Sequence, residues 1–132
     1  MPEIVDFVCE NIVSVWIGRF QSSDDLLEFV DFDYDEDGNS SNLFCEESGI
    51  NWFDHDSQEA NFIGQKDLPD ALRGHSWIET FENELMKILS KISRDSFNSI
   101  FLLYDFCYNP EFADPKENSQ LKFIGSFDFQ KD

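Results

Sequence analysis

The sequence predicts an α+β fold: a single domain whose antiparallel β-sheet carries helices packed on one face. Three observations predict it. Residues 12–17 (IVSVWI) and 99–108 (SIFLLYDFCY) are apolar runs rich in β-branched and aromatic residues, with the length of buried strands. Residues 121–129 alternate with the two-residue rhythm of a strand. Between them, Ile78, Phe81, Leu85, Ile88, Leu89 and Ile92 recur at steps of three and four, the period of an amphipathic helix. A length of 132 residues suits one domain, 1–132, with 1–11 as an N-terminal extension. Leu, Ile, Val and Phe supply 40 residues, well above the ~20% below which a highly charged chain stays disordered.

In chain order, Ile4, Val5, Phe7 and Val8 are expected to pack on the domain, a short helix being the expected form. Glu3, Asp6 and Glu10 interrupt this apolar start, so a signal peptide is not expected. The strand at 12–17 stops at Gly18. Ser22 or Ser23 then caps a helix whose first turn holds Asp24 and Asp25 and whose apolar side is Leu26, Leu27, Phe29 and Val30. A second short helix is expected over 42–48, with Ser41 as its cap and Gly49 as its stop. Residues 54–56 read as a turn, 59–63 as a short strand and 68–73 as one helical turn. Ser76 and Glu79 have the spacing of a capping box for the long helix, with Lys87, Lys91 and Arg94 toward its C-terminus. In the last strand, Leu121, Phe123, Phe127 and Phe129 are expected on one face, with Lys122, Ser126 and Asp128 on the other. Pro110 and Pro115 bar regular pairing in the segment before it.

Charge is the outlying property. Twenty-eight acids face nine bases, a formal −19. Such a surface repels nucleic-acid phosphates and anionic lipid heads and attracts basic proteins or cations. Direct nucleic-acid or membrane binding is therefore not expected, and no run approaches the ~20 apolar residues of a membrane span. Three widely spaced cysteines, Cys9, Cys45 and Cys107, form no CxxC pair and suit a reducing, cytoplasmic setting. Residues 20–65 hold thirteen acids and no lysine or arginine. Tyr34, Trp52 and Phe53 are interleaved with those acids. Aromatic rings give a protein interface its buried anchors, and surrounding carboxylates give fast, salt-sensitive association with a basic partner. The candidate partner-binding residues are Asp31, Asp33, Tyr34, Asp35, Glu36, Asp37, Trp52, Asp54 and Asp56. For Trp52 and Phe53 taken singly, the competing reading is a core residue anchoring a loop.

Chemistry-bearing patterns are sparse. Asp33, Asp35, Asp37 and Gly38 copy the first half of a calcium-binding EF-hand loop, but the twelfth position, where a bidentate glutamate belongs, is Phe44. An acidic calcium- or partner-sensing regulatory module is the alternative function this leaves. Asp54, His55 and Asp56 lie together without any accompanying metalloprotease, serine-hydrolase or cysteine–histidine signature. The glycines are isolated, so no phosphate-cradling loop is present. No catalytic residue, metal ligand or cofactor is assigned, and the expected function is binding, not catalysis.

Taken in order and spacing, several segments resemble the immunity protein 22 family of bacterial polymorphic toxin systems. They are Val13-Ser14-Val15-Trp16-Ile17-Gly18-Arg19-Phe20 with the serine-started acidic helix, Asp33-Tyr34-Asp35-Glu36-Asp37-Gly38, and Gly49-Ile50 with Asp54 and Asp56. Leu102-Leu103-Tyr104 and Leu121-Lys122-Phe123-Ile124-Gly125-Ser126-Phe127 complete the pattern. The resemblance spans roughly residues 12 to 129. It implies an α+β fold and an antidote: a cytosolic, non-enzymatic protein that binds and neutralises a cognate toxin domain. The charge adds the expectation that this toxin is a basic nuclease.

Overall fold

The computed structural model describes residues 7–31, 33–34, 40–41, 43–50, 53, 55–113, 115–117 and 119–131. Its centre is a four-stranded antiparallel sheet of β1 (Val8–Gly18), β4 (Gln58–Phe62), β5 (Ser99–Phe106) and β6 (Leu121–Asp128), in the order β4-β5-β1-β6. A separate ribbon pairs β2 (Asp33–Tyr34) with β3 (Ser40–Ser41). The described helices are α1 (Ser23–Val30), α2 (Leu43–Ser48), α3 (Leu68–Leu72), α4 (Glu82–Leu89) and the single turn α5 (Pro110–Ala113).

The α+β class and the antiparallel sheet agree with the sequence reading; the placement of helices on one face does not. Alternate residues of the two central strands feed two separate cores. Trp16, Phe101 and Leu103 pack with Leu26, Phe29 and Val30 of α1 and Phe44 and Cys45 of α2. Val13, Val15, Ile17, Ile100, Leu102 and Tyr104 pack with Ala71 and Leu72 of α3 and Leu85 and Leu89 of α4. Helices therefore cover both faces. The physical reason lies in β5 itself: a strand whose residues from Ile100 to Tyr104 are apolar or aromatic on both faces has no side that water can wet, so each face needs a cover.

Local chemistry explains most boundaries. The Ser22 hydroxyl accepts the Asp25 N–H, capping α1. Gly49 ends α2 at φ +81°, and a Cβ there would sit 1.8 Å from the Ala113 carbonyl oxygen, so only glycine fits. Asn42 and the Ser41 side chain lie outside the description, so the expected cap of α2 does too. Phe7 is buried and Val8–Glu10 belong to β1; this part of the presumed extension is strand and not helix, while residues 1–6 lie outside the described residues.

Two further expectations are overturned. Ser76 and Glu79 form no capping box. Ser76 is held by Glu59, Trp77 is left-handed at φ 54°, a 3-10 turn occupies Ile78–Thr80, and α4 starts at Glu82. Arg94 lies beyond α4 and donates to the carbonyls of Phe97, Gly64 and Lys66. In β6, Val15 pairs with Gly125 but Trp16 pairs with Phe123, leaving Ile124 as a bulge. The extra residue reverses the alternation. Phe123 and Leu121 serve the α1/α2 core, whereas Phe127 and Phe129 serve the α3/α4 core.

Candidate partner-binding face

The sequence of α1 sorts its residues by helical period. Leu26, Phe29 and Val30 are buried, and Asp24, Asp25, Leu27, Glu28 and the C-cap residue Asp31 are exposed. In α2, Phe44 and Cys45 turn inward while Leu43 and Glu46 are exposed. An open groove of about 760 Å³ runs beside α1, lined by Asp25, Glu28 and Leu43 together with Arg19 and Gln120. Arg19, on its rim, donates to the Asp95 carbonyl at 2.6 Å. Among the described residues the ion pairs join Arg73 to Asp70, Lys87 to Glu84 and Lys131 to Asp105; none involves a carboxylate of α1 or α2. The result is an outward stripe of carboxylates flanking two exposed leucines, Leu27 at 48% and Leu43 at 52%.

Asp31 stands in a costly place. A helix C-terminus carries the negative end of the dipole and favours a cation. Here the last turn of α1 has no base and its cap is an aspartate.

The sequence-derived site is only partly described. Asp31 is exposed at the end of α1, and Asp33 and Tyr34 form β2 opposite Ser41 and Ser40. Asp56 is exposed in a 3-10 turn over His55–Ser57. Asp35, Glu36, Asp37, Trp52 and Asp54 lie outside the described residues. Phe53, read as a possible interface ring, is a core residue: it is buried edge-on against Phe44 and Phe101. Phe44, at the closing position of the half EF-hand, is likewise buried, 5.0 Å edge-on from Trp16. The sequence reading did not single out Asp24, Leu27, Glu28 and Leu43 as a surface. For α1 the signal was present, since positions 24, 27, 28 and 31 share one helical face.

A second constellation was not anticipated. The Glu59 carboxylate of β4 takes His75 Nδ1 at 2.8 Å, Ser76 Oγ at 2.7 Å, the Ser76 N–H at 3.2 Å and the Tyr104 hydroxyl at 3.0 Å. Burial works to raise its pKa, but the donors from His75, Ser76 and Tyr104 outweigh it and hold the carboxyl at about 2. Burial first, and then the Glu59 charge, push the Tyr104 phenol well above its ordinary range. On the other side of the imidazole, Asn61 Nδ2 donates to Nε2 at 3.0 Å and to the Ala71 carbonyl at 3.0 Å. That pattern selects the neutral Nδ1–H tautomer.

These residue types invite a comparison with a hydrolase triad, and the geometry answers it. Ser76 donates to the carboxylate and not to the imidazole, and both ring nitrogens are engaged in a side chain only 7% exposed. No nitrogen is placed to take the serine proton. The cluster is a clasp that ties β4 and β5 to the turn between α3 and α4.

No helix among the described residues is long and apolar enough to cross a membrane. Comparison with curated proteins and with solved structures gives no significant match. The family model described as Immunity protein 22 matches residues 13–130, from the β1 core through β6, so both helical layers fall within it. The chain belongs to the immunity protein 22 family, a membership that suggests a toxin-inhibitor role.

Proposed function

We propose that this protein acts in the cytoplasm as the antidote to a basic nuclease toxin, which it binds one to one through the acidic surface centred on α1, α2 and the β2–β3 ribbon. One observation carries the reading: residues 20–65 hold thirteen acids and no base. A nuclease groove is basic because it must hold phosphates, and carboxylates presented by a protein can stand where those phosphates would sit. Asp31, Asp33, Asp35, Glu36, Asp37, Asp54 and Asp56, with the α1 carboxylates, attract the partner. Tyr34 and Trp52, with Leu27 and Leu43, supply apolar anchors. The aspartate at the negative end of α1 supports the same reading, because an acid kept where helix stability disfavours it points to use elsewhere.

Co-expression tests it. Cells carrying the toxin domain encoded beside this chain should survive only when the chain is also expressed. Equal killing with and without it would refute the antidote role. Protection from a toxin that does not cut nucleic acid would keep that role and refute the nuclease target.

A further inference from the structure

The fold brings together two of the three cysteines that are far apart in sequence. Val8 of β1 pairs with Phe106 of β5, and the Cys107 N–H donates to the Phe7 carbonyl at 2.7 Å. Phe7 therefore stands opposite Cys107. Val8 and Phe106 are directly paired and share a face, so the next residues along the chain, Cys9 and Cys107, lie as diagonal neighbours on the other face. An ideal diagonal is wide for a disulfide. Here the register shifts between Val8 and Val13, and Asn11 and Asp105 are left-handed at φ 66° and 56°, so the pair is not held to the ideal spacing. Cys107 is exposed and Cys9 half-buried, whereas Cys45 is buried in the α1/α2 core.

We propose that Cys9 and Cys107 form a dithiol oxidation site, which a peroxide converts to an intramolecular disulfide fastening the start of β1 to the end of β5. Cys107 is the entry point because a peroxide reaches it first. Its thiolate attacks one peroxide oxygen, the O–O bond breaks, and the sulfur becomes a sulfenic acid with release of water. The Cys9 sulfur then attacks that sulfenic sulfur, the S–O bond breaks, and a second water leaves. Two thiols and one peroxide give one disulfide and two waters. Burial, reinforced by Cys107 and Asp105, pushes the Cys9 thiol up to about 11, so Cys9 suits the second step better than the first. Cys45, pushed up to about 12 by burial, is an internal control.

The test uses the full chain, reduced and then treated with a small excess of hydrogen peroxide. Thiols are counted after denaturation, and the bridge is mapped by proteolysis without reductant. Three thiols should fall to one, with the Cys9 peptide joined to the Cys107 peptide, and dithiothreitol should restore all three. Cys45→Ser should fall from two thiols to none. Cys9→Ser should leave Cys107 as a sulfenic acid that dimedone traps. Persistence of three thiols, a bridge that includes Cys45, or loss of Cys107 alone in the unmutated chain would overturn the proposal.

Discussion

The layer of α1 and α2 and the layer of α3 and α4 cover opposite faces of one sheet, with similar chemistry inside and dissimilar chemistry outside. Inside, each is an aromatic and aliphatic core: Trp16, Phe44, Phe53 and Phe101 on one side, Phe81, Leu85, Phe97 and Leu102 on the other. Outside, residues 66–95 mix Lys66, Arg73, Lys87, Lys91 and Arg94 with Asp67, Asp70, Glu79, Glu82, Glu84 and Asp95, a net −1. The stretch 20–65 is −13 without a single base, although one of its thirteen acids, Glu59, belongs to the clasp on the α3/α4 side. The α3/α4 side pairs part of its charge within the molecule, through Arg73–Asp70, Lys87–Glu84, the Arg94 carbonyl contacts and the Glu59 clasp. The described carboxylates of α1 and α2 make no such ion pairs. One layer pairs part of its outer charge within the molecule; the other serves the fold with its inner face, and its outer face is the surface proposed above for a partner.

The largest expected effect treats the layers as equals. Trp16→Ala on the α1/α2 side and Leu85→Ala on the α3/α4 side each empty a fully buried site. They should cost about 3–5 and about 2–5 kcal/mol in urea denaturation. A loss below about 1 kcal/mol on either side would mean that the corresponding layer is not part of one cooperative core.

Smaller, and confined to the α3/α4 side, is the clasp. Glu59→Gln should cost about 1–3 kcal/mol near neutral pH by removing a carboxylate with several donors. Its folded pKa lies below the ordinary 4.5, at about 2. The stability it supplies is therefore fully present above pH 4.5 and is lost as pH falls toward 2. The gap between the unmutated chain and Glu59→Gln should narrow over that window in pH-dependent unfolding. A constant gap would place the carboxylate's role elsewhere.

Smallest, and of opposite sign, are the outer charges of α1. Asp31→Asn should stabilise by about 0.3–1 kcal/mol, because it removes an anion from the negative end of a helix. The Tm of the unmutated chain should rise with sodium chloride as its self-repulsion is screened. Asp24→Asn, Asp25→Asn and Glu28→Gln together should flatten that rise, the slope and not Tm itself being the readout because Asp24 and Asp25 also lie in the first turn of α1, where the dipole favours acids. Glu82→Gln with Glu84→Gln, in the mixed layer, should change the salt response less. Equal responses would erase the electrostatic distinction between the two layers.

The sequence made the class, the central strands and α1 with its serine cap legible because each follows from local periodicity or capping chemistry. It also carried the sign of the exposed layer, since a stretch of 46 residues without a base is visible to counting. What it hid depends on pairing between distant segments. A one-residue bulge at Ile124 sends Leu121 and Phe127 to different cores, and no alternation pattern announces a bulge. Ser76 has a partner in reach at helical spacing, Glu79, yet Glu59 takes it because the β4 carboxylate gathers His75 and Tyr104 as well. Cys9 and Cys107 looked unrelated because strand pairing, not sequence distance, makes them neighbours.

The most direct test of the two-layer account measures association of this protein with the neighbouring toxin domain by stopped flow across a range of salt. Two variants are compared, Asp24→Asn/Asp25→Asn/Glu28→Gln/Asp31→Asn in the acidic layer and Glu79→Gln/Glu82→Gln/Glu84→Gln in the mixed one. The account predicts that the first slows association at least about tenfold at low salt and flattens the salt dependence, while the second leaves both within about twofold. Equal slowing by the two variants, or unchanged association in the first, would contradict the assignment of the α1/α2 layer as the docking surface.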